Sequence, residues 1–340
     1  MHILIVSDAW FPQINGVVQT LVKTSEGLRA RGHVVSMITP DQFRTWPMPS
    51  YPEIRLALAR TSRVGKMIEA VAPDAVHIAT EGPLGLAARR HCVRRKRCFT
   101  TSYHTRFPDY LRARLNFAGV ERAGYGFMRW FHAPAQAVMA GTPSVARDLE
   151  AHGFANVRLW TRGVDHTLFH PGRRIQLDLP GPIALYVGRV AVEKGIEAFL
   201  SLDFKGTKMV VGDGPALARL KAQHPDAVFT GYRRGEALAE IMASADVFVF
   251  PSRTDTFGLV MLEAMASGLP VAAFPVTGPI DIVEDGVSGA LDEDLGQAIT
   301  RALTCRRTDA RLRALEFSWD RTAEIFAAHV ADASRSGIRH

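Results

Sequence analysis

Two rhythms of apolar residues divide the 340-residue chain into short elements. One is the unbroken apolar run of a buried parallel strand. The other is the stripe of apolar residues three and four apart that marks an amphipathic helix. In the first half, the runs at 3–6, 34–39, 75–78, 98–101, 137–140 and 157–160 read as strands. The stripes at 17–30, 62–71, 86–93 and 143–152 read as helices. Residues 43–52 are rich in proline and read as a loop. A polar stretch, 176–182, reads as linker, and the alternation then resumes with strands at 183–187, 208–211, 227–230, 245–251 and 271–274. Helices are expected at 216–223, 235–244, 295–303, 311–317 and 318–333, with a further one opening at Asp255-Thr256 and ended by Gly268.

A strand-helix-strand order that repeats through both halves predicts an α/β protein with two Rossmann-like domains, each a parallel sheet covered by helices. The length suits two cores better than one. The expected division is 1–165, 166–317 and a terminal helix, 318–340, with Arg162-Gly-Val-Asp165 as the hinge. The first half lacks a Gly-x-Gly-x-x-Gly turn, and no acid ends its second strand. Dinucleotide binding there has little support.

The second half carries the chemistry. In a parallel sheet every loop that follows a strand lies at the same edge. Four such loops are Gly188-Arg189 to Lys194, Gly212-Asp213-Gly214, Gly231-Tyr232-Arg233-Arg234 and Asp255 to Leu259. They bring two cations, glycines that allow close approach, and a helix start whose N–H groups and dipole favour phosphate. Glu263 lies further along that helix, where a carboxylate accepts from a ribose diol. Together they describe a nucleoside diphosphate site. Taken singly, Arg189 and Lys194 are equally surface side chains, and Asp255 with Glu263 equally a helix cap and a buried acid.

Apolar residues at 47% and charged residues at 22% are ordinary for a globular protein. The net charge of +7 favours an anionic partner. Three cysteines in no metal spacing fit a reducing, cytoplasmic setting. The apolar start lacks the basic residues of a signal peptide, and the apolar stretch 259–276 is broken by Glu263, Gly268 and Pro270, so no transmembrane helix is expected. Between 89 and 131, Lys and Arg outnumber Asp and Glu eleven to two, with aromatics interleaved. That composition fits an anionic membrane surface, RNA, or a solvated face over core aromatics; nucleic acid is disfavoured because no RNA-binding motif accompanies it. Asp292-Glu293-Asp294 reads as the cap of the next helix rather than a metal site.

Gly188-Arg-Val-Ala-Val-Glu-Lys-Gly195 and Asp255-Thr-Phe-Gly-Leu-Val-Met-Leu-Glu263 together resemble the family 4 retaining glycosyltransferases of the GT-B fold. The second is that family's E-x7-E pattern. Ser102-Tyr-His-Thr-Arg-Phe-Pro108, Arg162-Gly-Val-Asp165 and Val210-Val-Gly-Asp-Gly-Pro215 fit the same family, so the resemblance spans nearly the whole chain. The first-half motifs are most similar to the bacterial branch acting on lipid acceptors such as diacylglycerol or phosphatidylinositol.

The resemblance implies two domains facing across a cleft, the terminal helix, 318–340, crossing back to the first domain, and a hexosyl group passed from a UDP- or GDP-sugar to a lipid or other hydroxyl. It also implies no metal cofactor and peripheral attachment to the inner face of the cytoplasmic membrane. It assigns Arg189 and Lys194 to the donor diphosphate, Glu263 to the ribose, and Asp255 to the sugar. Thr256 and the N–H groups of Phe257, Gly258 and Leu259 would touch sugar or phosphate. Gly188, Gly212, Tyr232 and Arg233 would complete the donor site, with the last two near the base. Gly16 would let the first-domain loop approach the phosphates, and His104 would hydrogen-bond the reacting sugar. Two departures stand out: Asp255 is one methylene shorter than the family's Glu, and Gly16 is a single glycine where many members have two. Rival expectations are a sugar-nucleotide epimerase or hydrolase of the same architecture, and a nucleotide- or RNA-binding protein without catalysis.

Overall fold

The first apolar run, Ile3 to Val6, is fully buried as part of strand β1 (His2–Val6), which is paired on both sides. The computed structural model describes residues 1–13, 15–48, 51–104 and 118–336. These form two compact units, one of residues 1–162 with 319–340 and the other of residues 163–318.

In unit 1, β1 pairs in parallel with β2 (Val34–Ile38) and, on its other side, with β5 (Ala75–Ile78). The sheet continues through β6 (Thr100–Tyr103), β7 (Ala137–Ala140) and β8 (Val157–Leu159), in the order β2-β1-β5-β6-β7-β8. Helix Gly16–Ala30 follows β1. Its N-cap Asn15 accepts from the N–H groups of Val17 and Val18 at 3.1 and 3.0 Å, a cap that contributes about 1 kcal/mol. The last helix, Trp319–Ser336, packs on this helix and buries Ala323, Phe326 and Val330 in unit 1. The proline-rich segment is not a loop. It forms an antiparallel pair, β3 (Thr45–Met48) and β4 (Tyr51–Ala57), outside the main sheet, where an edge position tolerates Pro47.

Unit 2 repeats the plan with strands β9 (Ile183–Val187), β10 (Thr207–Val211), β11 (Val228–Gly231), β12 (Val247–Phe250), β13 (Val271–Ala273) and β14 (Gly289–Leu291). All pair in parallel, in the order β11-β10-β9-β12-β13-β14. This is the doubly wound order in which connections leave β9 and β12 in opposite directions, opening a crevice between their carboxyl ends. Strands β9 and β12 are buried throughout, and burial of each large apolar side chain contributes roughly 1.5–3 kcal/mol. The helix expected over 311–317 runs instead from Arg307 to Leu315. Asp294 is the N-cap of helix Leu295–Ala302 and accepts from Gly296 and Gln297, so the 292–294 acids are a cap cluster as expected. Among the described residues, no helix is long and apolar enough to cross a membrane.

Candidate active site

The four loops expected to converge do share the carboxyl edge of the unit 2 sheet, because all their strands run parallel. Main-chain bonds tie three of them together. Gly188 N–H donates to Val211 at 3.0 Å, Val190 N–H to Asp213 at 2.9 Å, and Gly212 N–H to Gly231 at 3.0 Å. A Cβ on Gly212 would sit 1.9 Å from the Gly188 carbonyl oxygen, so only glycine allows this approach. Tyr186, buried in β9, donates its hydroxyl to the Arg189 carbonyl at 2.9 Å. Burial raises its phenol well above the ordinary value, and the charges of Asp255 and Glu193 add to the rise. Tyr232 and Arg233 are exposed on the β11 loop, with Arg233 Nη1 donating to the Tyr232 carbonyl at 3.0 Å.

Lys194 and Asp255 meet across the switch point. Lys194 follows β9 and Asp255 follows β12, and Nζ lies 2.6 Å from Oδ1. Both side chains are half-buried, at 24% and 18% exposure, and screening by water is correspondingly reduced. Asp255 Oδ2 is buried with no hydrogen-bond partner among the described residues. This corrects the expected helix start. Helix Leu259–Ala266 begins four residues after Asp255, with Gly258 as its N-cap at φ +83°, and no side chain caps it. The positive φ turns the chain between loop and helix, a conformation that favours glycine. Thr256 is half-buried, and Phe257 is buried with its ring edge-on to Phe317 at 6.4 Å. Glu263 lies one turn into the helix and is partly buried; its carbonyl accepts from Ser267 Oγ at 3.0 Å.

Gly16 and His104 belong to unit 1. Gly16 opens its helix and is exposed. His104 follows β6, with Nε2 at 2.8 Å from Ser102 Oγ and Nδ1 at 3.3 Å from Arg162 Nη2. The remainder of its motif, Thr105 to Pro108, lies outside the described residues.

A further polar device escaped the sequence reading. Asp8, after β1, crosses the unit 1 switch point to cap helix Pro83–Arg94. Its Oδ1 accepts from Leu84 N–H at 2.8 Å, and Oδ2 accepts from Gly85 N–H at 3.1 Å and Thr80 Oγ1 at 3.0 Å. Burial raises the Asp8 carboxyl above its ordinary value. No local spacing announces this cap, because donor and acceptor lie 76 residues apart.

The basic stretch is less uniform than its composition. Arg89 is buried, donating from Nε to the Phe131 carbonyl at 2.8 Å, with its guanidinium 3.9 Å from the Trp130 ring centroid. Tyr125 and Phe131 are core residues, whereas Arg90, Arg94, Arg95, Lys96, Arg122, Phe127 and Trp130 are exposed. Arg106, Phe107, Tyr110, Arg112, Arg114 and Phe117 lie outside the described residues.

Each unit carries a Rossmann-like parallel sheet, and unit 2 sets a cation and a carboxylate at its switch point, where open α/β sheets bind ligands; comparison with known proteins narrows the class. The model for "Glycosyltransferase Family 4" matches residues 14–168, and that for "Glycosyl transferases group 1" matches 181–305. A GDP-mannose-dependent alpha-mannosyltransferase of Mycolicibacterium smegmatis is 32% identical over 368 aligned positions, covering 97% of this chain and 96% of the relative. An alpha-monoglucosyldiacylglycerol synthase of Streptococcus pneumoniae is 26% identical, covering 89% and 78%. Sucrose-phosphate synthase of Thermosynechococcus elongatus shares the fold with a TM-score of 0.75 at 22% identity, covering 96% and 97%. The chain therefore belongs to the family 4 glycosyltransferases, and it is a glycosyltransferase of the GT-B fold.

Proposed function

We propose that this enzyme transfers a hexosyl group, with retention of configuration, from a nucleoside-diphosphate sugar to a lipid-borne hydroxyl, and that the donor is GDP-mannose. The observation that carries the reading is the near full-length similarity to a GDP-mannose-dependent alpha-mannosyltransferase. The synthase of Streptococcus pneumoniae, named for a glucosyldiacylglycerol product, supports a lipid acceptor and keeps a glucosyl donor as the competing outcome.

The unit 2 edge supports this chemistry. Departure of a nucleoside diphosphate builds negative charge on its phosphates, and donors fixed beforehand at that position stabilise the transition state. Arg189, Lys194 and the uncapped start of helix Leu259–Ala266 supply such positive charge. These fixed cations take the role a metal plays elsewhere, so the reaction is metal-independent and EDTA leaves turnover unchanged. The Lys194–Asp255 pair at 2.6 Å keeps the lysine ordered, and Asp255 Oδ2, which has no hydrogen-bond partner among the described residues, accepts from a sugar hydroxyl once the donor is bound. Glu263 binds the ribose, Tyr232 and Arg233 flank the base, and Gly188 and Gly212 bring main chain to the phosphates. The same resemblance assigns Gly16 and His104 of unit 1 to the donor's phosphates and sugar. With no nucleophile assigned, the departing phosphate takes the acceptor's proton on the face it leaves. Exposed Arg90, Arg94, Arg95 and Lys96, together with exposed Phe127 and Trp130, would hold the enzyme at an anionic membrane surface on the cytoplasmic side.

A thermal-shift panel of UDP-, GDP- and ADP-sugars tests the donor. Selective stabilisation by GDP-mannose is expected, equivalent to about 2.7 kcal/mol at a hundredfold excess over Kd. Transfer to lipid should then fall by about 100-fold or more in Lys194→Ala and Glu263→Ala, with an α-linked product. Equal stabilisation by every base, or unchanged turnover in both variants, would overturn the reading.

A further inference from the structure

Beneath the carboxyl edge of the unit 1 sheet a polar chain runs through an apolar interior. His77 on β5 and Thr100 and Ser102 on β6 are wholly buried. His77 Nδ1 lies 2.8 Å from Thr100 Oγ1, and its Nε2 lies 3.1 Å from Ser102 Oγ. Ser102 Oγ is 2.8 Å from His104 Nε2, and His104 Nδ1 is 3.3 Å from Arg162 Nη2. Arg162 is itself 4% exposed. It donates from Nη1 to the carbonyls of Trp160 and Thr161, and its guanidinium lies 4.2 Å from the Trp160 ring centroid. Trp160 is anchored in turn, donating Nε1–H to the Thr322 carbonyl of the last helix at 3.1 Å.

Counting protons along this chain fixes the His104 ring. A guanidinium donates and never accepts. His104 Nδ1 is therefore the acceptor in its contact with Arg162, and the neutral ring carries its proton on Nε2. That proton is donated to Ser102 Oγ. The Ser102 hydroxyl has the Ala79 carbonyl at 3.4 Å and His77 Nε2 at 3.1 Å as its remaining partners. One arginine at the end of the chain thus sets the tautomer of His104.

We propose that Arg162 is a positioning residue that holds His104 in the neutral Nε2–H tautomer, with both ring nitrogens turned into unit 1. His104 then serves transfer as a fixed, neutral contact and not as an acid or a base. This deepens the function proposed above and rests on His104 being part of that site.

The electrostatics agree with the geometry. Among the described residues, the charged groups acting on His104 are Arg162 from the segment after β8, His77 from β5, and His132 from helix Ala118–His132. All three oppose a second positive charge, and burial opposes it more strongly, so the imidazole titrates well below its ordinary value. The nearby carboxylate, Glu81, is engaged elsewhere, with Oε1 at 3.2 Å from His132 Nε2. Burial lowers Arg162 to about 9, which leaves it protonated at neutral pH.

The test is a long-range proton–nitrogen correlation spectrum of the full-length enzyme labelled with 15N in its histidine rings. His104 is assigned by comparison with His104→Gln, and spectra are recorded from pH 5.5 to 8.5. The expected wild-type spectrum shows the proton on Nε2 and no titration across that range. Arg162→Lys, which keeps a donor, should retain the pattern. Arg162→Met should let the tautomers exchange and raise the pH at which the ring titrates, while burial still holds it below its ordinary value. If that ring is used in transfer, kcat/KM of this variant should then fall on acidification toward pH 5.5, a limb that wild type and Arg162→Lys lack. Should Arg162→Met fail to fold, the wild-type spectrum decides alone. A wild-type His104 that titrates near 6.5, or that carries its proton on Nδ1, overturns the role of Arg162. Wild-type turnover in His104→Ala, with the spectrum as expected, overturns instead the placing of His104 in the site.

Discussion

At the residue scale, the sequence exposes which types are present and hides which of them meet. Arg189, Lys194, Asp255 and Glu263 stand out because they fall in loops after strands or on the helix that follows. The bond between Lys194 and Asp255 does not, because it joins residues 61 apart through the sheet order. His77 is harder still. In sequence it is one polar residue inside an apolar run, and its partners Thr100 and Ser102 lie on the next strand. The structure makes it consequential for stability. Burial, then the charges of Arg162 and His132, lower its imidazole to about 3. The unfolded chain binds a proton near pH 6.5 that the folded chain refuses until far lower. Stability is therefore lost as pH falls through that window, at about 1.4 kcal/mol per unit for each such group. His104 adds to the same slope. Urea unfolding at pH 7.5, 6.0 and 5.0 should show the midpoint dropping on acidification, with a shallower drop in His77→Gln. Parallel lines for the two proteins would sink the assignment.

At the element scale, parallel strands announced themselves by unbroken apolar runs, and their helices by period, because both patterns are local. The elements misjudged were those whose boundaries depend on distant partners. Residues 43–52 looked like a loop because prolines interrupt them, yet the β3–β4 ribbon tolerates Pro47 outside the main sheet. Helix Leu259–Ala266 was expected to start at Asp255, but that acid turns to Lys194. Two capped helices allow a measured comparison. Asp294 is exposed and caps its own helix from the adjacent position, as the sequence suggests. Asp8 is buried and caps helix Pro83–Arg94 from another strand. Removing the exposed cap lets water satisfy the freed N–H groups, so Asp294→Ala should cost about 1 kcal/mol. Removing the buried one leaves Leu84 and Gly85 N–H without acceptors in a dry interior, so Asp8→Ala should cost about 1–3 kcal/mol. Chemical denaturation of the two variants in parallel decides it. A smaller loss for Asp8→Ala would mean that water reaches the unit 1 switch point.

At the scale of the whole molecule, the order of units along the chain differs from their order in space. Unit 1 is built from both ends, residues 1–162 and 319–340, with unit 2 inserted between. The sequence shows two α/β halves plainly, since each has its own strand-helix rhythm, and the terminal stripe plainly as a helix. Which unit that helix completes is decided by packing. Its Phe326 lies edge-on to His77 at 4.8 Å and 5.0 Å from the Trp160 ring, and its Thr322 carbonyl holds the Trp160 indole. Phe326 and Val330 are buried among Ile3, Ile5, Leu21 and Leu28. Deleting 319–340 should therefore strip roughly 5 kcal/mol of apolar burial from unit 1 alone, and with it the wall behind the His77–Ser102–His104 chain. Unit 2 keeps its own core, in which β9 and β12 are covered by residues within 163–318. Hydrogen exchange separates the two outcomes residue by residue. In the truncated chain, amides of β1, β5 and β6 should exchange at least 100-fold faster, while those of β9 and β12 stay close to wild type. Equal loss of protection in both sheets would mean that the two cores unfold as one, and the terminal helix would then stabilise the enzyme as a whole instead of the imidazole-bearing unit.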